Sequence, residues 1–172
     1  MKTSEIKIFD IKSEDPDDHW SHLNVSGKRV LDLGCGRWDA TDLSKTTPMY
    51  FLSKGAEFVL GIDKSQDEIT FFKDKNIDRT DFIQLTVKEI KTLINLINLY
   101  NIQTIKMDIE GQEKIIFEGS AEDFKSIENV AIEYHIGIDA NLLKNKLVEF
   151  GFIITHIGNL WIDNMGVIFA KK

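Results

Sequence analysis

The residues best suited to hold a ligand stand at the ends of two short apolar runs. Val30-Leu31-Asp32-Leu33 leads straight into Gly34-Cys35-Gly36. Glycines at such a turn let backbone come close to a ligand and leave the following amides able to face it. Val59-Leu60-Gly61-Ile62 ends in Asp63, and a carboxylate at the tip of an adjacent parallel strand accepts hydrogen bonds from a ribose diol. Each feature alone has a plainer reading, the glycine pair as a tight turn and Asp63 as a helix cap. Their order and strand context together point to a ligand containing adenosine. A dinucleotide is disfavoured, because its fingerprint wants G-x-G-x-x-G. Here the turn runs Gly34-Cys35-Gly36-Arg37-Trp38-Asp39, with Asp in the third glycine's place, and Asp32 and Asp39 would repel a pyrophosphate.

Two later runs, TIKMDI and NVAIEYH, end in or beside ionisable residues: Asp108 in the first with Glu110 just after it, Glu133 and His135 in the second. VLDLGCG followed by GAEFVLGID resembles motifs one and two of the class I methyltransferases. IKMDIEGQEKIIFEGS with VAIEYH resembles their FkbM-type branch, and the D-x-E-G-x-E pattern leading into an apolar run and Gly-Ser is the most diagnostic part. The likeness covers roughly residues 28 to 172 and is weakest between Lys64 and Thr86. It implies an α/β, Rossmann-like domain with a mainly parallel seven-stranded sheet, an antiparallel last strand and helices on both faces. The implied cofactor is S-adenosyl-L-methionine, and the implied reaction is methyl transfer, commonly to a hydroxyl oxygen of a sugar or other small molecule.

By position, the resemblance implies that Asp32 with Gly34, Cys35 and Gly36 holds the methionine part of the cofactor. Asp63 would hold its ribose, Ile62 and Lys64 would flank adenine, and Asp108 would lie near the sulfonium. The sequence departs from the family in two places. Only Lys64 to Thr104 separates the second strand from the D-x-E-G-x-E strand, which leaves the adenine-edge contact to Thr86 or its neighbours. Arg37 to Thr46 delays the helix that normally follows the glycine turn, and such a loop can reach over the cofactor or shape the acceptor site.

Methyl transfer from a sulfonium is an in-line displacement that a protein assists chiefly by alignment and by excluding water. A hydroxyl acceptor must also lose its proton, and the candidates to take it are Asp108, Glu110, Glu133 and His135. His135 is favoured, since an unperturbed imidazole titrates near neutrality, at about 6.5; its plainer role is a hydrogen-bonded structural residue. The same acids with His135 are also able to collect a divalent cation that acidifies the acceptor, although nothing in the spacing demands a metal and none is expected. Glu113 is assigned to the positive end of a short helix. Trp20, Trp38 and Trp161 read as packing residues, with Trp38 placed to cover the cofactor, and His19, His22 and His156 show no ligand spacing.

These residues need strands alternating with helices. Ser65-Gln66-Asp67-Glu68 and Thr86-Val87-Lys88-Glu89 have the form of capping boxes, Thr47-Pro48 opens an apolar run that stops at Gly55, and Val87, Ile90, Leu93, Ile94 and Ile97 make one helical face that Asn101 ends. Short helical patches are expected near Gln112 and from Ser120. Asp139 opens a helix closed at Gly151, and the tail, with no room for another helix, gives an antiparallel pair. Residues 1–27, with Pro16 among acids, read as an extension: a lid, a contact arm or a partly disordered segment. Residues 28–172 form the single expected domain.

The chain has 172 residues and a net charge of -7, a balance that counts against a nucleic-acid surface, which usually carries a basic excess. Cys35 is the only cysteine, so no intrachain disulfide can form. No run approaches the roughly 20 apolar residues of a membrane span, and the expected protein is soluble and cytoplasmic, with a small hydroxyl-bearing acceptor as its partner. The rival readings are an RNA or protein methyltransferase on the same fold, a non-catalytic cofactor-binding module, and a nicotinamide-dependent reductase.

Overall fold

Apolar runs that alternate with segments of helical period build parallel strands joined by helices. The computed structural model, which describes residues 6–12, 19–36, 42–160 and 164–172, shows that pattern along most of the chain. Its strands are β1 (Lys7–Asp10), β2 (Arg29–Leu33), β3 (Phe58–Asp63), β4 (Thr80–Gln84), β5 (Thr104–Met107), β6 (Asn129–Tyr134), β7 (Ile153–Asn159) and β8 (Gly166–Lys171). They form one eight-stranded sheet in the order β1-β7-β8-β6-β5-β2-β3-β4. Every pairing is parallel except those of β8, which runs antiparallel to both β6 and β7.

The antiparallel ending matches expectation, and the sheet holds one strand more than the resemblance implies. The addition is β1, which lies in the segment read as an extension and pairs with β7 from Lys7↔His156 to Asp10↔Asn159. Its 4 residues are mostly exposed and offer no apolar run to detect. Among the described residues, no helix is long and apolar enough to cross a membrane.

The helices are α1 (Thr47–Ser53), α2 (Gln66–Lys73), α3 (Ile90–Leu99) and α4 (Ala140–Glu149), with 3-10 turns at Leu43–Lys45 and Glu113–Glu118. Ser65 caps α2 by accepting from the Glu68 amide, and Asp139 caps α4 by accepting from the amides of Asn141 and Leu142. The second expected capping box does not form. α3 starts later, at Ile90, after a Glu89 cap that makes no side-chain bond. The residues before it form no regular element, with the Leu85 amide bonded to the Asp63 carbonyl, and Thr86 borders the cleft described below. The expected helix at Ser120 is a turn in which Asp123 accepts from both the Ser120 amide and hydroxyl.

A strand sends successive side chains to opposite faces, and that alternation divides the core. One face receives Leu31, Leu33, Ile105, Met107, Val130 and Ile132, packed against Leu93 and Ile97 of α3 and Leu143 and Leu147 of α4. The other receives Val30, Val59, Ala131 and Phe169, packed against Tyr50 and Phe51 of α1 and against Trp20, Leu23 and Val25. Toward the carboxyl ends of the strands this second face stops being apolar: Asp32, Lys106, Asp108 and Glu133 all point to it, and all are buried.

Candidate active site

Register brings the strand tips into line. Leu33 pairs with Ile62 and with Met107, and Met107 pairs with Ile132. The residues that follow, Asp63, Gly34, Asp108 and Glu133, therefore stand in a row across the carboxyl ends of β3, β2, β5 and β6. In an open α/β sheet, ligands bind in the crevice outside these ends. A cleft of about 330 Å³ opens here, lined by Gly34, Gly36, Ile62, Asp63, Lys64, Leu85, Thr86, Val87, Asp108 and Glu110, among others.

Gly34 lets the chain leaving β2 pass close against the backbone that follows β5. Its φ is +74°, and a Cβ there would lie 1.7 Å from the Asp108 carbonyl oxygen, so no residue with a side chain fits. The loop is tied to β3 through its own amides: Gly34 and Cys35 donate to the Ile62 carbonyl at 2.8 and 3.2 Å, and Gly36 donates to Asp63 Oδ2 at 3.1 Å. Asp63 Oδ1 accepts from the Ser65 amide at 2.8 Å. Its carboxylate is thereby fixed in the cleft wall while each oxygen keeps a lone pair for a ligand hydroxyl.

Of the cofactor-binding residues expected from the sequence, Gly34, Gly36, Ile62, Asp63, Lys64, Thr86 and Asp108 line the cleft, whereas Asp32 and Cys35 do not. The Cys35 side chain is fully buried against Ile69, Phe72 and Phe82, and burial pushes its thiol well up. Asp32 is also fully buried; it accepts from the Thr47 hydroxyl at 2.5 Å and pairs with Lys106 Nζ at 3.0 Å. Both residues shape the loop from behind, because alternation along β2 sends Asp32 away from the cleft and into the covered face.

Lys106 is the residue that reading the sequence missed. It is 1% exposed, donates to the Gly34 and Leu33 carbonyls at 2.6 and 3.2 Å, and lies 5.1 Å from the Trp20 ring. Burial alone would lower its pKa, but the charges of Asp32 and Asp108 outweigh that and raise it, so the ammonium persists. A lysine inside the apolar run TIKMDI, two residues before Asp108, was the available signal.

Next to this strut lies the acid–histidine cluster. His135 Nδ1 is 2.8 Å from Glu113 Oε1, and Glu113, fully buried, also accepts from the Gly111 amide at 3.1 Å. Glu113 thus does more than the expected service at a helix end: it ties the loop after β5 to His135. His135 Nε2 stands 3.6 Å from both Asp108 Oδ1 and Glu133 Oε1. Glu133 Oε2 meets His19 Nε2 at 2.7 Å. The Glu113 hydrogen bond raises His135 above the usual imidazole value against an opposing desolvation. Asp108 is raised to about 6, first by desolvation, with Lys106 opposing and Glu133 reinforcing.

Across the cleft mouth, Lys64 and Glu110 form an ion pair between exposed side chains; exposed pairs add little stability. Glu110 sits at φ +50° beside Gly111 at +88°. Trp38 and Asp39 of the post-glycine loop, and Trp161, lie outside the described residues. His22 and His156 stack at 3.9 Å beside Phe9 and Phe169, and neither lines the cleft.

No protein-family model and no curated protein matches the chain. Solved structures do. An S-adenosylmethionine dependent methyltransferase from Mesorhizobium loti matches with a TM-score of 0.59 at 13% identity, over 93% of this chain and 98% of that one. A putative tRNA (m1A22) methyltransferase from Streptococcus pneumoniae, in complex with S-adenosyl-L-methionine, matches at 0.62 and 13%, over 85% and 66%. An uncharacterized protein from Listeria monocytogenes serotype 4b matches at 0.59 and 15%, over 86% of this chain; the chain spans only 63% of its length. The chain has the fold of the S-adenosylmethionine-dependent methyltransferases.

Proposed function

We propose that this chain is an S-adenosylmethionine-dependent methyltransferase acting on a hydroxyl of a small organic acceptor. The observation that carries this reading is the row at the strand tips: a loop that only glycine permits, an anchored carboxylate on the next strand, and a desolvated carboxylate on the strand beyond, all bordering one cleft. The fit is chemical as well as steric. Asp63 suits a ribose diol, and Ile62, Leu85 and Val87 give apolar surface for a purine. The lower limit of ordinary small-molecule clefts is about 300 Å³, which this cleft passes.

In this reading Gly34 and Gly36 let the backbone approach the cofactor, Asp63 binds its ribose, and Ile62, Lys64 and Thr86 border its adenine. When bound, S-adenosylmethionine supplies an electrophilic methyl group on a sulfonium. The protein's part is to align the acceptor and to handle one proton. Asp108 is the acid–histidine cluster member that lines the cleft, and it accepts no hydrogen bond among the described residues. We therefore assign it to take the acceptor's proton. His135 stands behind it, held by Glu113, and its role in this reading is to fix the position of Asp108. Asp32 and Lys106 position the glycine loop from below.

Ile136, the residue after His135, is 70% exposed, and such apolar surface suits a small organic acceptor better than a phosphate backbone. A nucleic-acid acceptor is the second reading, favoured by the likeness to a putative tRNA (m1A22) methyltransferase and opposed by the net charge of -7. Calorimetric titration tests the cofactor: S-adenosylhomocysteine is expected to bind and NADH is not, and the opposite result overturns methyl transfer in favour of hydride transfer. Incubation with methyl-labelled cofactor and a cell extract, separated into RNA, protein and small-molecule pools, then tests the acceptor; label expected in the small-molecule pool and found in RNA would establish the second reading instead.

A further inference from the structure

We propose that Asp108, Glu133 and His135 form a binding site for one divalent metal cation of the Mn²⁺ type at the acceptor side of the cleft. Each of the three side chains offers one ligand atom, and these atoms lie within 4.8 Å of one another. His135 Nε2 lies 3.6 Å from an oxygen of each acid. That is too long for a hydrogen bond and close to the separation of about 3.4 Å that two ligands with bonds of about 2.1 Å adopt around one ion. One nitrogen and two carboxylate oxygens suit Mn²⁺, Fe²⁺ or Zn²⁺ better than Ca²⁺.

Outer contacts already hold two of the ligands in a binding posture. Glu113 takes His135 Nδ1 at 2.8 Å and leaves Nε2 directed at the acids, the carboxylate–histidine arrangement that orients metal-ligating imidazoles. His19 takes Glu133 Oε2 at 2.7 Å and leaves Oε1 toward His135. The third ligand is the unsatisfied one. Asp108 is nine-tenths buried and accepts no hydrogen bond from the described residues.

Charge counting leads to the same place. The buried acids are Asp32, Asp108, Glu113 and Glu133, against Lys106 as the buried lysine among the described residues. Lys106 contacts Asp32 at 3.0 Å but Asp108 only at 3.7 Å, His19 serves Glu133 and His135 serves Glu113. Asp108 is left over, and a buried charge without a close partner is costly. A divalent ion between Asp108, Glu133 and His135 answers that deficit.

The existence of the site stands apart from methyl transfer; its use rests on the reading given above. A hydroxyl oxygen of the acceptor coordinated to the ion would ionise more readily. The O–H bond breaks with its electron pair kept on oxygen, and the proton goes to the Asp108 oxygen outside the ion's coordination. The oxygen's electron pair then forms the bond to the methyl carbon as the sulfonium S–CH3 bond breaks with its pair left on sulfur, and S-adenosylhomocysteine leaves as the neutral thioether.

The test uses the full chain stripped with a chelator and titrated with Mn²⁺, with free ion read by electron paramagnetic resonance. One ion per chain is expected, with affinity about tenfold or more weaker in both Glu133→Gln and His19→Gln. Pulsed resonance on the Mn²⁺-loaded wild-type protein should show coupling to an imidazole nitrogen, a readout that does not depend on any variant folding. No binding at millimolar Mn²⁺, or a bound ion without nitrogen coupling, overturns the proposal. S-adenosylhomocysteine titrated into the same protein separates the two readings: cofactor binding without Mn²⁺ binding removes only the cation site, and Mn²⁺ binding without cofactor binding removes only the methyltransferase assignment.

Discussion

On the face of the sheet covered by α3 and α4, the central strands contribute Leu31, Leu33, Ile105, Met107 and Ile132, an unbroken apolar layer. On the face covered by α1 and the segment around Trp20, the intervening residues of the same strands are Asp32, Lys106 and Glu133, with Asp108 just beyond. One alternation of period two thus writes two different surfaces into each strand. The apolar layer holds the sheet to its helices and, of these five residues, only Leu33 reaches the cleft. The polar layer stabilises nothing cheaply, because each buried charge needs a partner; its return is a charged strut under the glycine loop and the acid–histidine cluster beside it. Stability and chemistry are therefore separable by face, even between neighbouring residues.

Lys106→Met is the strongest way to break that contrast. Removing the ammonium strands Asp32 inside the protein and frees the Gly34 and Leu33 carbonyls. Loss of one partner from a buried ion pair costs about 4 kcal/mol, and urea unfolding should show a fall of that order together with weakened S-adenosylhomocysteine binding. Adding Asp32→Asn should recover part of the stability but not the binding. On the other face, Leu93→Ala removes a fully buried side chain of α3 and should cost about 3 kcal/mol while the folded protein binds cofactor unchanged. If Leu93→Ala weakened binding as much as Lys106→Met, the division by face would be wrong.

Asp63→Ala sharpens the same contrast from the cleft side. Asp63 packs little and holds two loop amides, so the melting temperature should move by only a few degrees. Loss of hydrogen bonds to a charged group costs about 1.5–3 kcal/mol, which titration of S-adenosylhomocysteine should register as roughly a 10- to 100-fold weaker affinity. Unchanged affinity would remove Asp63 from the site.

How much of this the sequence disclosed follows from the range of each interaction. The strand into Gly34, the strand ending in Asp63, and the caps Ser65 and Asp139 are local features, carried by neighbours within a few residues, and the structure contains them. Asp108, Glu133 and His135 were also visible as chemistry at strand ends. Their partners were not: His19 reaches Glu133 across 114 positions, and no spacing in a single sequence encodes such a meeting. Thr86 misled in an instructive way, since a capping-box pattern is compatible with an extended strand exit when the chain must pass a cleft. β1 was missed because an edge strand with mostly exposed side chains leaves no alternation to read.

The smallest expected effect tests whether the edge that β1 joins behaves independently of both faces. His22 and His156 stack at 3.9 Å and 4°. Desolvation lowers His22, with Lys7 adding to the shift, and desolvation with the neighbouring His22 lowers His156; its Nδ1 is buried with no hydrogen bond. Both rings are thus favoured neutral when folded. Their contribution to stability is fully present above the unfolded imidazole value of about 6.5 and is lost as pH falls through the lower folded values. His135, shifted upward, works in the opposite sense, so only a difference between proteins isolates the stack. His156→Phe keeps a ring beside Phe9 and Phe169 and removes one titrating group. The loss of melting temperature between pH 7.5 and 5.5, both of them values chosen for the assay about one unit either side of 6.5, should be smaller in the variant than in wild type. An equal loss in the two would show that the acid sensitivity does not arise at this edge.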